Sequence, residues 1–267
     1  MTATKIKTVF VCAGMLMLLH LHGQDGHYWT QQYGTRSMLL NGSVIGGVDD
    51  LGAVYYNPAR LGQIENPVFL ISADVYEVTN ITVSDAFGED KNAARRDIKG
   101  VPSLAAGTYK IPWLKKHSFA WAILVRNNSD LNFSYGNEVY DDVIENFPGD
   151  EYLGAQMAIT AKGNEQWTGL SWAYPLTERL SIGASGYLSL YTQNKGLKID
   201  LQALSDSKQA AIYRYNRSMT MEQYSLLGKF GLSYSADRFL AGLTFLSPSL
   251  FLKGSGSYQY EKLFSGI

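Results

Sequence analysis

The sequence predicts an all-β chain, an antiparallel β-barrel that crosses a membrane, and three observations lead there. Seven stretches alternate apolar and polar residues over the roughly 9 to 11 positions that a tilted membrane strand needs. The links between them alternate short and long. The composition, with 18 Tyr, 26 Gly and only 18% charged residues, is shifted toward aromatics and glycine, as expected when lipid-facing and lumen-facing positions take turns. A mean hydropathy of -0.12 averages the two faces and so resembles that of a soluble protein.

Residues 1–24 read as a cleaved secretory signal. Lys5 and Lys7 form a positive start, Val9 to Leu19 is apolar, and Gly23 and Gln24 suit a cleavage site. The alternative, a membrane anchor, needs roughly 20 apolar residues, more than this run supplies. Cys12, the one cysteine, lies inside the run with no lipobox at its end. The mature chain is therefore expected to begin near Asp25 without cysteine, which excludes disulfides, thiol catalysis and a Cys-ligated metal. Loss of Lys5 and Lys7 takes 23 basic against 24 acidic side chains, net -1, to 21 against 24, net -3. No basic face for nucleic acid is implied.

Residues 25–66 differ in kind. Gly34, Gly42, Gly46, Gly47, Gly52 and Gly62 fall in a stretch without strand period. Irregular backbone is tolerated at membrane depth only inside protein or a water-filled cavity, so this stretch is expected to be a hatch, a plug within the lumen. Asn57-Pro58-Ala59-Arg60-Leu61-Gly62 reads as one helical turn, with Asn57 as N-cap, Pro58 at the first helical position and Gly62 closing it in a left-handed conformation. Taken alone, those residues are also no more than a capped turn.

The expected strands are approximately 67–79, 101–111, 117–127, 165–176, 180–193, 224–236 and 239–252. The fifth sets Leu180, Ile182, Ala184, Leu188 and Leu190 against Ser181, Gly183, Ser185, Tyr187 and Ser189. A soluble β-sandwich alternates equally well; the links favour a barrel. Tight links at 112–116, 177–179 and 237–238 alternate with long ones at 80–100, 128–164 and 194–223, as short periplasmic turns alternate with long extracellular loops. Residues 197–212 in the third long link are expected to be a short helix or disordered. Trp113, Trp172, Tyr174, Tyr191 and Tyr224, near strand ends, suit interfacial girdles. Counted from a periplasmic start, the seventh strand ends outside and leaves an unpaired edge, so residues 67–267 are expected to be the N-terminal half of a barrel.

The run Asn41-Gly-Ser-Val-Ile-Gly-Gly-Val-Asp-Asp-Leu-Gly-Ala-Val-Tyr-Tyr-Asn-Pro-Ala resembles the N-terminal hatch of the FadL/TodX family of long-chain fatty acid and hydrocarbon transporters. Gly242-Leu-Thr-Phe-Leu-Ser-Pro-Ser249 resembles that family's strand ending in Ser-Pro. The resemblance implies a 14-stranded barrel, about seven strands of which would be present, with a lateral path for hydrophobic ligands. It further implies that Asn57, Pro58 and Ala59, with Gly46 and Gly47, sit in the plug and gate a ligand path. Asp49 and Asp50 would hold the plug by pairing with lumen cations such as Lys229 or Arg126.

Enzymatic chemistry has no motif behind it. His27 and His117 stand far from any Gly-x-Ser-x-Gly elbow or metal spacing. An outer-membrane lipid hydrolase would need a Ser and a His brought together by the fold. Asp141, Asp142, Glu145, Asp150 and Glu151 are a solvated acidic face or, less directly, a Ca²⁺ loop without a known spacing. The expectation is thus a non-enzymatic outer-membrane protein that needs no cofactor. It passively transports hydrophobic compounds such as fatty acids, hydrocarbons or detergent-like molecules, with outer-membrane lipid as its other partner. The alternative is a structural or secretion-accessory barrel that binds other proteins.

Overall fold

Alternate side chains of a strand leave on opposite faces, so the period-two runs can each bury one face of a sheet. The computed structural model describes residues 32–64, 68–85, 92–142, 144, 145 and 147–266, all within the unit Gln31–Ile267. The expected signal, Cys12 and His27 lie outside the described residues. Two short helices, α1 (Thr35–Leu39) and α2 (Ala53–Tyr56), and a 3-10 turn (Pro58–Gly62) precede the strands. These are β1 (Phe69–Val83), β2 (Ala93–Tyr109), β3 (Ser118–Asp141), β4 (Glu151–Pro175), β5 (Leu180–Ser205), β6 (Ala210–Ala236), β7 (Phe239–Leu246) and β8 (Leu250–Ser265).

The strands form one antiparallel sheet in chain order from β1 to β7, curled as a half-barrel, with β8 also on β6. No second sheet packs against it among the described residues, which is the arrangement of a barrel wall rather than a sandwich. The expected seventh strand is β7 and β8 together. Both pair with β6 and are interrupted at Ser247-Pro248-Ser249. Proline has no amide proton to give to the ladder. Ser247 patches the gap, its N–H donating to the Gly228 carbonyl and its Oγ accepting from the Gly228 N–H, both at 2.8 Å.

Three expectations are corrected. Most of the links expected to be long at 80–100, 128–164 and 194–223 is strand. β3 to β6 run 24 to 27 residues, about 80 to 90 Å at roughly 3.3 Å per residue. Residues 197–212 are accordingly the end of β5, a turn and the start of β6, not a helix. Tyr191 and Tyr224, placed near strand ends by the sequence, fall mid-strand. The physical reason is a change of phase: on β5 the apolar residues are even-numbered from Leu180 to Leu190, then odd-numbered at Leu197, Ile199 and Leu201. A fixed alternation stops at the slip; the strand does not.

The slip means that the sheet exchanges its polarity halfway along. Near the short turns, the face covered by residues 32–64 is lined by small and polar residues, as in the cross-strand rows Ala120–Ser171–Ser185–Lys229 and Ala173–Gly183–Gly231. The opposite, open face there is apolar, as in Phe119–Trp172–Ala184–Phe230–Phe245 and Ile123–Thr168–Leu188–Leu226. Phe230 is 55% exposed and Leu170 60%. Beyond the row Asn128–Asn164–Thr192–Glu222, the open face becomes polar, with Asn132–Thr160–Gly196–Ser218–Gln259. The covered side becomes largely apolar, with the row Phe133–Ile159–Leu197 continuing through Arg217 to Tyr260. On β3 a bulge between Val125 and Asn127 performs the same exchange. At the far tip Phe147 folds over Ala203 and Ala211, with Ile144 and Leu153 against them.

Candidate functional site

Residues 32–64 are too irregular to satisfy their own backbone, and the covered face supplies what they lack. Asn57 is extended and fully buried, and its Oδ1 accepts from the Ala59 amide at 3.1 Å, the expected N-cap with Pro58 following. Its Nδ2 donates to the Ile45 carbonyl at 2.9 Å and to the Leu232 carbonyl of β6 at 3.1 Å. One side chain thus joins the turn, the preceding loop and the sheet. Ser181 Oγ donates to the Ala59 carbonyl at 2.7 Å, and Ser185 Oγ and the Tyr187 hydroxyl both donate to the Val54 carbonyl. Lys229 Nζ donates to the Tyr55 carbonyl. Ser233 Oγ donates to Gln63 Oε1 at 3.1 Å, and Gln63 Nε2 to the Arg179 carbonyl at 3.2 Å. Carbonyls left over by α2 and the 3-10 turn are met by a row of sheet hydroxyls and one ammonium.

The seat is made by the absence of side chains. A Cβ on Gly183 would run into the Pro58 carbonyl carbon and the Ala59 nitrogen, and one on Gly242 into the Ile45 carbonyl. Gly46 is held as closely from the other side, with a Cβ there 3.1 Å from the Gly242 nitrogen. Gly47 is less constrained, since its nearest neighbour would be the Arg36 guanidinium at 3.4 Å. Gly62 does not close the turn in a left-handed conformation: positive φ among the described glycines occurs at Gly34, Gly42, Gly149 and Gly266. Gln63 ends the turn, its amide on the Arg60 carbonyl. A five-residue 3-10 turn runs on into Gln63 without needing the αL residue that an α-helix end so often uses.

Above the turn stands an aromatic group around Tyr55. Its ring lies 4.5 Å from Tyr33, 5.1 Å from Tyr56 and 6.0 Å from Trp167, centroid to centroid. The Lys229 ammonium is 4.4 Å from the same ring and the Arg126 guanidinium 5.8 Å. Tyr33 donates its hydroxyl proton to the Val125 carbonyl at 2.7 Å, reaching across to β3. The two acidic residues are placed otherwise than expected. Asp49 pairs with Arg36 at 3.0 Å, and Asp50 accepts from the Gly52 amide at 2.8 Å, both contacts inside the segment. The sheet cations reach Tyr55 instead. A cation next to an aromatic face and a carbonyl keeps favourable electrostatics without desolvating a second full charge. Burial pushes the Asp50 carboxyl above its ordinary range.

The structure therefore brings Asn57, Pro58, Ala59 and Gly46 onto the sheet, and leaves Asp49, Asp50 and Gly47 as internal supports. Sequence reasoning missed Gly183, Gly242, Ser181, Tyr187 and Tyr55. The first four stood in the polar phase of their strands, where small residues read simply as lumen-facing. The described residues hold no cluster of three or more His, Cys, Asp or Glu that could bind a metal. His117 accepts from Trp172 Nε1 at 2.8 Å and stacks on Phe119. Family models, curated proteins and solved structures were each compared with the chain, and none matches.

Proposed function

We propose that this sheet is part of an outer-membrane β-barrel that passively conducts hydrophobic compounds, with residues 32–64 as its plug. The exchange of polarity between the faces carries the reading. From Leu180 to Leu190 the apolar open face extends about 33 Å along the strand. At a tilt of roughly 40° that is about 25 Å tall, the height of the apolar band of a membrane barrel. Above it the wall turns polar outside and apolar inside, which suits a structure standing in water around an apolar ligand. The small, hydroxyl-rich lower lumen is filled by the plug, so a ligand has to displace or skirt it. The FadL/TodX-like run at residues 41–59 agrees with that arrangement.

Cells carrying the gene should take up labelled oleate. Ile159→Asp, on the apolar inner row, should reduce uptake severalfold while leaving the protein in the outer membrane. Thr160→Asp, one residue on and facing the opposite side, should not reduce it. Equal effects of the two, or recovery of the mature protein as a soluble periplasmic monomer, would refute the reading. One observation favours the secretion-accessory alternative: Tyr140, Tyr152, Leu204 and Ile212 are exposed on the otherwise polar outer face at the far tip, where a partner protein would find them. Unchanged uptake in both variants of a correctly inserted protein would favour it.

A further inference from the structure

The turn from β2 to β3, Lys110-Ile-Pro-Trp-Leu-Lys-Lys-His117, holds cations and exposed apolar surface together and contains no acid. Trp113 is 81% exposed. Lys110, Lys115 and Lys116 are exposed around it, while two tight backbone bonds, Leu114 N–H to Ile111 O and His117 N–H to Leu114 O, both 2.9 Å, fix the turn. Beside it lies a cleft of about 350 Å³ lined by Leu61, Ile64, Tyr109, Ile111 and Leu114, with Lys110 and Lys115 also lining it. The apolar belt starts directly above, at the stacked ring cluster of Tyr109, Phe119, His117 and Trp172. The other two short turns add exposed Arg179 and Arg238 against Glu178 and Asp237. At the far tip the balance is reversed, with Asp141, Asp142, Glu145, Asp150, Glu151 and Asp206 against Lys208.

An exposed tryptophan below an apolar belt sits at headgroup level, and lysines at that depth attract anionic lipid. We propose that the Lys110–His117 turn and its cleft form a binding site for an anionic phospholipid of the leaflet on the short-turn side. The lipid phosphate meets Lys110 and Lys115 at the mouth of the cleft, its acyl chains run up the open face from the exposed Tyr109 ring, and Trp113 anchors alongside. This rests on the membrane reading above.

The test uses the full chain in vesicles of phosphatidylcholine mixed equally with phosphatidylglycerol, probed with spin-labelled phosphatidylglycerol or phosphatidylcholine at trace level. The motionally restricted signal should favour the phosphatidylglycerol label by about threefold or more, given the attraction of each lysine for an anionic surface. Lys110→Gln with Lys115→Gln and Lys116→Gln should abolish the preference while the restricted fraction of the phosphatidylcholine label stays unchanged. Arg179→Gln with Arg238→Gln, on the neighbouring turns, should retain most of it, and inorganic phosphate should not compete. A restricted signal without preference in the parent chain overturns the lipid site and leaves the membrane reading standing. Equal losses in the two variants, or competition by phosphate, also overturn the site. Absence of any restricted lipid overturns both.

Discussion

Placing a methyl group on Gly183 tests whether the seat of the 3-10 turn is made by missing side chains. The added Cβ meets the Pro58 carbonyl carbon and the Ala59 nitrogen, which are backbone on both counts and cannot rotate away. The turn has to lift. Lifting it breaks the bonds from Ser181 Oγ to Ala59 at 2.7 Å and from Asn57 Nδ2 to Leu232 at 3.1 Å, and strains that from Asn57 to Ile45. At about 1 kcal/mol net each, the local cost is about 2 to 3 kcal/mol. Gly183→Ala should therefore speed amide exchange of residues 53–63 by roughly thirtyfold to more than a hundredfold, since 1.4 kcal/mol is about a factor of ten. Strand peptides from 190 to 205 should keep their protection, because alanine is no worse than glycine in a strand. Gly196→Ala, where the new Cβ lies 3.8 Å from its nearest neighbour, is the matched control. Unchanged exchange at 53–63, or an equal loss of protection in the strands, would refute the reasoning.

Lys229→Met keeps the length of the side chain and removes the donor to the Tyr55 carbonyl; leaving that buried acceptor unmet should destabilise residues 53–57 by about 1 to 3 kcal/mol, read by the same exchange measurement. Asn57→Ala should cost more than an ordinary cap, about 2 to 3 kcal/mol, since the Ala59 amide and the Ile45 and Leu232 carbonyls all lose a partner; on the function proposed above, release of the segment should raise single-channel conductance in planar bilayers while a gel still shows the folded protein. Asp50 sets a pH dependence. Its raised pKa means that the seated segment binds the proton more tightly than the released one, so seating is stronger at acid pH and weakens as pH rises from 3.8 through the raised value. In Asp50→Asn the acceptor for the Gly52 amide is kept and the titration removed; protease resistance of the segment should then lose this component of its pH dependence, and an unaltered profile would contradict the assignment.

How much of this was readable in the sequence depended on whether a feature was local. The cap at Asn57-Pro58 is a matter of neighbouring residues and was found where expected. Short turns at 112–116, 177–179 and 237–238 were found because charge and strand ends coincide at each, with Pro112 in the first and Pro175 just before the second. The rest needed the register. Leu197, Ile199 and Leu201 were set aside as a link because their phase disagrees with Leu180 to Leu190, and only pairing with Ile159, Met157 and Ala155 shows that one strand carries both phases. Gly183 carries no local sign of its role either, since it is 124 positions from the Ala59 that it accommodates. The acidic pair misled for a related reason. Charge suggests a charged partner, whereas Arg36, nearer in sequence, reaches Asp49 first.

β3 explains why one strand needs a bulge where β4 beside it needs none. Leu124 and the alanines apart, its apolar residues stay odd-numbered from Phe119 and Ile123 to Leu131 and Phe133, so an unbroken strand would send these to one face. On β4, by contrast, Leu170 and Trp172 are even-numbered while Leu153, Met157 and Ile159 are odd, and the sequence itself makes the exchange. Arg126 is the extra residue between Val125, opposite Gln166, and Asn127, opposite Glu165. It turns Leu131 and Phe133 inward, where Phe133 is 2% exposed. An extra residue must put its side chain somewhere, and this one carries a guanidinium to within 5.7 Å of Trp167 and 5.8 Å of Tyr55. The same irregularity that lets the wall pass from an apolar exterior to an apolar interior thus delivers a cation to the top of the segment lying below that transition. Removing Arg126 would take away both at once, turning Phe133 out into water and leaving the Tyr55 ring to Lys229 alone.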